Sequence, residues 1–280
     1  MTTTAQQPQG MSPERFFELF ILELSHSPGL QGYYKFLGGK NRLPFRKNYF
    51  MQRLKYIAKY AGEKQNTVWD IGCGYGTTAI FLALNGYTVH GTTLESYFDE
   101  IQKRIKFWSA YGNVSSFTFS YENIFDERQT ATMVDRIIVQ DTLHHIEPIS
   151  SGLNIISRSL RSKGKIIVIE ENGNNILQRT MLYFRRGNNR IISMYDEILR
   201  KEILIGNENI RPLSAWSELF KQQHCIIENV EYIRLFLPFF WNVIPHHRLE
   251  RLEKRLFVTN TILREYFYFG MNFLIGKENG

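Results

Sequence analysis

Cysteine is scarce: Cys73 and Cys225 are the only two in 280 residues. That excludes a disulfide scaffold and any Cys-rich zinc module. No apolar run reaches the roughly 18–20 residues that cross a bilayer. The polar start MTTTAQQPQG lacks the basic-then-apolar pattern of a signal peptide. These absences set the expectation of a protein of the reducing cytoplasm. Acidic excess is also missing, since 34 Lys+Arg stand against 27 Asp+Glu for a net charge of +7. What is present is apolar: 43% hydrophobic and 14% aromatic residues exclude a disordered chain. The length suits one large domain or two small ones, with a sizeable core.

The positive charge is uneven. Residues 1–67 carry 10 Lys/Arg and 4 Asp/Glu, residues 68–174 carry 9 and 12, and residues 175–280 carry 15 and 11. Basic flanks around an acidic middle suit a nucleic-acid binder, contact with anionic lipid, an acidic substrate, or plain solvated surface.

Residues 1–10 read as a loose tail. Residues 11–37 open with Ser12-Pro13-Glu14, a helix start with proline at the first helical position, and a helical pattern follows through Phe16, Phe17, Phe20, Ile21 and Leu24. A loop at 38–44 precedes a second helix over about 47–61, with Leu54, Ile57 and Ala58 expected inward. From Thr67 the texture changes. Short buried-strand patterns at Val68–Ile71, Tyr87–Leu94, Ser116–Ser120, Arg136–Gln140 and Lys165–Glu170 alternate with helical ones at 78–84, 97–111 and 149–160. That alternation predicts a parallel α/β sheet. Residues 172–222 read as mostly helical. Two β-rich runs, 225–236 and 266–275, are expected to pair antiparallel at the sheet edge.

The segment Asp70-Ile71-Gly72-Cys73-Gly74-Tyr75-Gly76-Thr77-Thr78 joins a strand to a helix. Glycines there let a ligand lie against bare backbone, and the helix N-terminus behind them offers free N–H groups to a carboxylate or phosphate. The spacing departs from the dinucleotide fingerprint Gly-x-Gly-x-x-Gly, because Thr77 stands at the third glycine position. The loop also lacks the Gly-Lys-Ser/Thr ending of a P-loop. It resembles motif I of class I S-adenosylmethionine-dependent methyltransferases, Asp/Glu-x-Gly-x-Gly-x-Gly. The run IIVQDTLHHIEP (Ile137 to Pro148) is similar to that family's fourth strand and following loop. Residues 153–171 resemble its helix, turn and fifth strand, and Gly270 to Gly276 its last strand. The resemblance covers about 66–235 and 265–277.

It implies a Rossmann-like α/β fold: a seven-stranded, mostly parallel sheet with helices on both faces, an N-terminal helical cap and a helical insertion before the last strands. Residues 1–60 would be tail and cap, and 61–280 the cofactor-binding domain, with 174–212 and 236–264 as cap or lid insertions. S-adenosyl-L-methionine is the implied cofactor. Gly72, Cys73 and Gly74 would line its methionyl part, and Asp70 would accept from its ammonium group. The usual ribose-binding acid after the second strand is replaced by Thr93, followed by Leu94, so Thr93 or Glu95 would serve the ribose. Gly-x-Thr-Leu also occurs in cyclopropane fatty-acid synthases, but the sequence after His145 does not follow their active-site pattern. Asn123 and Ile124 would meet the adenine, and Gln140 ends the fourth strand beside the cofactor.

The implied reaction is displacement at a sulfonium-bound methyl group, in which the protein supplies alignment and sometimes a base. His144 and His145, after the fourth strand, are the candidates for base or orienting group. Glu147, Glu170 and Glu171 are further candidates, and Tyr33 and Tyr34 could close over the site. Cys73 and Cys225 read as buried small residues. The pairs His144-His145 and His246-His247 are adjacent, which neither a helix nor a strand aims at one ion, so no metal site is expected.

The acceptor is expected to be a small apolar or amphipathic molecule, methylated on oxygen or carbon. The Asn/Asp-Pro-Pro-aromatic tetrad of DNA-base methyltransferases is absent, which argues against nucleic acid. The aromatic run Leu235 to Pro245 beside the basic stretch 246–256 suits either a lid over the acceptor or a wedge at a membrane surface. Two alternatives stay open: a degenerate cofactor-binding relative acting through interaction, and a lipid-modifying enzyme peripheral to the membrane.

Overall fold

The computed structural model describes residues 10–37, 43–95, 98–126, 133–257 and 260–278. The chain opens with α1 (Pro13–His26), α2 (Pro28–Tyr34) and α3 (Leu43–Tyr60). Ser12 caps α1 by accepting from the Arg15 N–H at 3.2 Å. The helical pattern read through Leu24 is α1, and α2 follows as a separate helix after Ser27, because Pro28 has no N–H to continue the ladder. On α3, Met51, Leu54, Tyr56 and Ile57 are buried and Ala58 is exposed. The inward face therefore includes Tyr56 and excludes Ala58. The loop expected at 38–44 lies mostly outside the described residues.

Strands and helices then alternate: β1 (Thr67–Ile71), α4 (Thr77–Leu84), β2 (Thr88–Thr93), α5 (Phe98–Trp108), β3 (Phe117–Tyr121), β4 (Val134–Gln140), a 3₁₀ turn at Leu143–His145, α6 (Ile149–Arg158) and β5 (Leu160–Glu171). After them come α7 (Ile176–Arg186), β6 (Ile191–Asp196), β7 (Lys201–Gly206), α8 (Leu213–Lys221), β8 (Cys225–Ile233), α9 (Phe240–Val243), α10 (His246–Arg255), α11 (Thr261–Phe267) and β9 (Gly270–Lys277).

The main sheet has the order β3-β2-β1-β4-β5-β9-β8. All its pairs are parallel except those of β9, which runs antiparallel to both β5 and β8. The central strands are apolar on both sides because both faces are covered. Ile137, Val139, Ile166 and Val168 pack on the side of α6 and α8, while Ile138, Ile167 and Ile169 pack on the side of α1, α3 and α4. Strand order reverses between β1 and β4. The carboxyl ends of those two strands therefore open a crevice, the usual ligand site of such sheets.

Two sequence expectations change. Residues 172–222 are not mostly helical, since β6 and β7 form a separate antiparallel hairpin. That ribbon leaves Ile191, Met194, Tyr195 and Leu204 exposed, so its two faces do not differ enough for a clear period-2 pattern. The C-terminal β pair is antiparallel at the edge as expected, but β9 inserts between β5 and β8, and a 36-residue excursion through α9, α10 and α11 replaces any tight turn. Among the described residues, no helix is long and apolar enough to cross a membrane.

Candidate active site

The glycine loop lies between β1 and α4 with Gly72 at φ +70° and Gly74 at φ +52°. Both are left-handed values that favour glycine. A Cβ on Gly72 would come within 2.2 Å of the Thr142 Oγ1. A Cβ on Gly74 would meet only the Tyr33 hydroxyl at 3.6 Å, so it would project into the crevice. The Gly72 and Cys73 N–H groups bond to the Thr92 carbonyl at 2.8 and 3.0 Å, which holds the loop against β2.

Asp70 ends up buried below this loop, and its Oδ2 has no hydrogen-bond partner. Burial raises its carboxyl from the ordinary 3.8 to about 7, and the Ala79 backbone N–H offsets this only in part. A desolvated carboxylate without a partner is costly unless a cation meets it. A primary ammonium fits that requirement, and the bare backbone at Gly74 leaves room for the rest of a methionyl chain. The donor set thus suits S-adenosylmethionine.

The other predicted residues line the same cleft, of about 1240 Å³. Thr93 is buried, and its hydroxyl accepts from the Glu95 N–H at 3.0 Å, so it shapes the turn. Glu95 is exposed and lines the cleft beside it. Leu94 and Ile124 supply apolar walls. The Asn123 amide oxygen accepts from the Phe125 N–H at 3.1 Å, which uses one of its two lone pairs within its own turn. Gln140 accepts from the Thr78 hydroxyl at 3.3 Å. The Cys73 thiol packs where Gly91 has no side chain, and burial raises its pKa well above the usual thiol value, so it is inert.

His144 and His145 sit on the 3₁₀ turn with ring centroids 4.1 Å apart. The adjacency argument, which separates neighbours on a helix or strand, does not hold on this tighter turn. His144 is buried, with Nδ1 2.6 Å from the Glu170 Oε2. Burial disfavours its imidazolium, but the Glu170 carboxylate outweighs this and raises the ring to about 9. His144 is thus biased toward its protonated form, and its Nδ1 is committed to Glu170. His145 is exposed to the cleft and donates from Nδ1 to the Gly206 carbonyl at 2.8 Å, which leaves Nε2 open.

Glu170 also accepts from the Thr142 and Leu143 N–H groups at 3.1 and 2.7 Å. Glu147 is buried and accepts from Asn209 and Arg211, both at 2.6 Å. Both carboxylates position the loop. Glu171 faces the cleft and pairs with Arg234 at 2.5 Å.

Sequence reasoning missed the far end of the cleft. There Tyr49 lies with the Arg53 and Arg234 guanidiniums 4.6 and 4.9 Å from its ring centroid. Arg53 pairs with Asp141, and Gln178 contacts Glu171. The Tyr49 hydroxyl, the Asp141 Oδ1 and the Gln178 Oε1 are buried without protein partners. Burial drives the Tyr49 phenol well above its usual pKa, so it stays a neutral donor. These residues come from α3, α7, the end of β8 and the loop after β4, with no local motif. The one sequence trace of them is the basic charge of the flanks, since Arg46, Arg53, Arg185 and Arg234 all line the cleft.

The N-terminal cap was expected, but the buried ion pair that fastens it was not. Glu23 of α1 is buried and accepts from Arg104 Nε and Nη2 at 2.9 and 2.8 Å and from Trp108 Nε1 at 2.9 Å. Arg104 Nη1 donates to the Tyr75 carbonyl at 2.7 Å and to the Thr77 Oγ1 at 2.6 Å. The cap helix therefore holds the glycine loop from behind. Tyr34 closes the same corner, with its hydroxyl 2.5 Å from the Thr77 Oγ1, and Tyr33 packs edge-on against Tyr75 at 4.9 Å.

Residues 69–166 match the model of a methyltransferase domain family. No curated protein matches the chain in sequence. Among solved structures, magnesium protoporphyrin IX methyltransferase of Synechocystis PCC 6803, with SAH bound, is 14% identical with a TM-score of 0.57, covering 93% of this chain and 100% of that one. Phosphoethanolamine N-methyltransferase 2 of Haemonchus contortus, in complex with S-adenosyl-L-methionine, is 18% identical with a TM-score of 0.54, covering 81% of this chain and 52% of that one. At such identities the likeness speaks for the fold. The domain match marks residues 69–166 as a methyltransferase domain, and the fold around it is the one that S-adenosylmethionine-dependent methyltransferases share.

Proposed function

We propose that this chain transfers a methyl group from S-adenosylmethionine to an oxygen or carbon of a small amphipathic acceptor held at the far end of the cleft. The observation that carries the reading is the buried, unpartnered Oδ2 of Asp70 beneath the glycine loop. When bound, the cofactor supplies an electrophilic sulfonium methyl group. The chain's own residues then hold and orient. Asp70 takes the ammonium, Gly72 and Gly74 let the backbone approach, and Glu95 stands where ribose hydroxyls need an acceptor. The Tyr49 hydroxyl and Asp141 Oδ1 present one donor and one acceptor to a polar group on the substrate. His145 is the imidazole placed to orient that group, because His144 is committed to Glu170.

Calorimetry with S-adenosylmethionine and S-adenosylhomocysteine tests the cofactor half of this reading. Binding of both supports it, and preferential binding of NAD overturns it. For the acceptor half, Tyr49→Phe is expected to raise the acceptor KM about tenfold while leaving cofactor affinity unchanged, since only uniform binding of the acceptor is lost. A matching fall in cofactor affinity would contradict that division of the cleft.

A second reading, a lipid acceptor reached at a membrane surface, is favoured by α7. This helix has no buried residue. It exposes Ile176, Leu177, Met181, Tyr183 and Phe184, the last 83% accessible, beside Arg179, Arg185 and Arg186. An apolar face flanked by arginines suits the interface of an anionic bilayer. Sedimentation with phosphatidylglycerol vesicles is expected to carry the protein down, and Phe184→Glu to reduce the bound fraction severalfold. Equal recovery with neutral and anionic vesicles would remove this reading.

A further inference from the structure

The 3₁₀ turn and the β6–β7 hairpin together build a second constellation. His144 Nδ1 is engaged by Glu170, and His145 Nδ1 by the Gly206 carbonyl. Nε2 is the nitrogen each ring has left. His144 Nε2 lies 3.7 Å from the Glu208 Oε2, and one ligand atom each from His144, His145 and Glu208 fall within 4.8 Å of one another.

The placement of Glu208 is built into the fold. The Asn209 N–H donates to the His144 carbonyl at 3.2 Å, and Ile146 and Ile205 form a β bridge. A Cβ on Gly206 would fall 1.9 Å from the His144 carbonyl oxygen, so the hairpin lies directly on the turn. Glu147 ties the far side through Asn209 and Arg211. Glu208 itself adopts φ +52°, a left-handed conformation that a glutamate takes only when its surroundings impose it.

We propose that His144, His145 and Glu208 bind a first-row transition-metal dication of the zinc type on the acceptor side of the cleft. Each imidazole already has the outer partner that metal-bound histidines have, a carboxylate for His144 and a backbone carbonyl for His145. Two nitrogens and one carboxylate select zinc and its neighbours over calcium or magnesium, which take oxygen donors. With metal–donor lengths of about 2.0–2.1 Å, tetrahedral donors sit roughly 3.3 Å apart. The His144–Glu208 pair, at 3.7 Å, is already near that spacing, and the group as a whole, within 4.8 Å, reaches it by closing at most roughly 1.5 Å. Three protein donors leave one vertex, and all three residues line the cleft. The ion would therefore present that vertex to an oxygen or nitrogen of the acceptor, and His145 would orient the acceptor through it. The Glu170 carboxylate that holds His144 Nδ1 leaves its Nε2 directed toward Glu208.

The test uses the full chain, stripped with chelator and titrated with Co²⁺, whose visible absorption reports tetrahedral nitrogen and oxygen ligation. The expected result is one Co²⁺ per chain, displaced by Zn²⁺, with affinity reduced at least ~100-fold in both His145→Ala and Glu208→Ala, two side chains that point into the cleft and whose loss should leave the far-ultraviolet circular dichroism unchanged. Absence of Co²⁺ uptake, or uptake that persists in both variants, overturns the proposal. The readout is metal uptake, so a failure of methyl transfer would not be mistaken for a failure of the metal site.

Discussion

Asp70→Asn should abolish measurable S-adenosylhomocysteine binding while making the free protein no less stable, and this opposition is the signature of a buried carboxylate kept for a ligand. Removing one member of a desolvated charge pair costs about 2–5 kcal/mol of binding, a loss of 30-fold to several thousand-fold. In the free protein the same carboxylate is a burden. Its pKa stands near 7 in the folded chain against 3.8 ordinarily. The folded state therefore holds a proton that the unfolded state releases across that interval. The stability it contributes is fully present below pH 3.8 and is lost as pH rises through about 7, amounting to roughly 4 kcal/mol by linkage. Asparagine removes that slope. Urea titrations at pH 5 and pH 8 should show the wild type weakening between the two values and the variant weakening less. Cofactor affinity should run the opposite way in the wild type, rising with pH and levelling off above about 7, because the ammonium binds the ionised carboxylate. A variant that lost both stability and affinity would mark Asp70 as a simple structural cap.

The largest effect on stability should come from Glu23. Glu23→Ala leaves the Arg104 guanidinium and the Trp108 indole N–H buried without their acceptor. Breaking a buried ion pair from one side costs about 3–5 kcal/mol. Denaturant midpoints should fall accordingly. Replacing both partners, as in Glu23→Leu with Arg104→Met, should recover most of that loss, because no uncompensated charge remains. The double variant should still bind cofactor less well, since the Tyr75 carbonyl and Thr77 hydroxyl lose the donor that fixes the glycine loop. Equal stability of the single and double variants would show that the pair acts only through packing.

These two residues also mark how far the sequence could be read. Asp70 and its glycines were legible because a strand, a tight loop and a helix N-terminus are local constraints, written within nine residues. The α/β alternation was legible for the same reason, as the central strands carry apolar residues on both faces. Glu23 was not, because its partners are 81 and 85 positions away and nothing in α1 separates a buried glutamate from a solvated one. The polar end of the cleft was equally hidden: Tyr49, Asp141, Gln178 and Arg234 meet only once the sheet is assembled. Thr93 and Glu95, both read from the sequence as ribose candidates, both line the cleft, and the Thr93 hydroxyl also closes the turn to Glu95. The histidines were found by their position after β4. Their convergence was not foreseen, because it depends on a 3₁₀ turn and on a hairpin that the sequence disguised as helix.

The central claim, that this chain moves a methyl group rather than merely binding the cofactor, is tested most directly by incubating it with methyl-labelled S-adenosylmethionine and a fractionated cell extract, followed by mass spectrometry of the labelled products. The account predicts label in a small organic-extractable molecule, formed over many turnovers and absent with Asp70→Asn. Tight cofactor binding with no labelled product in any fraction would contradict it and identify the chain as a relative that keeps the site without the reaction.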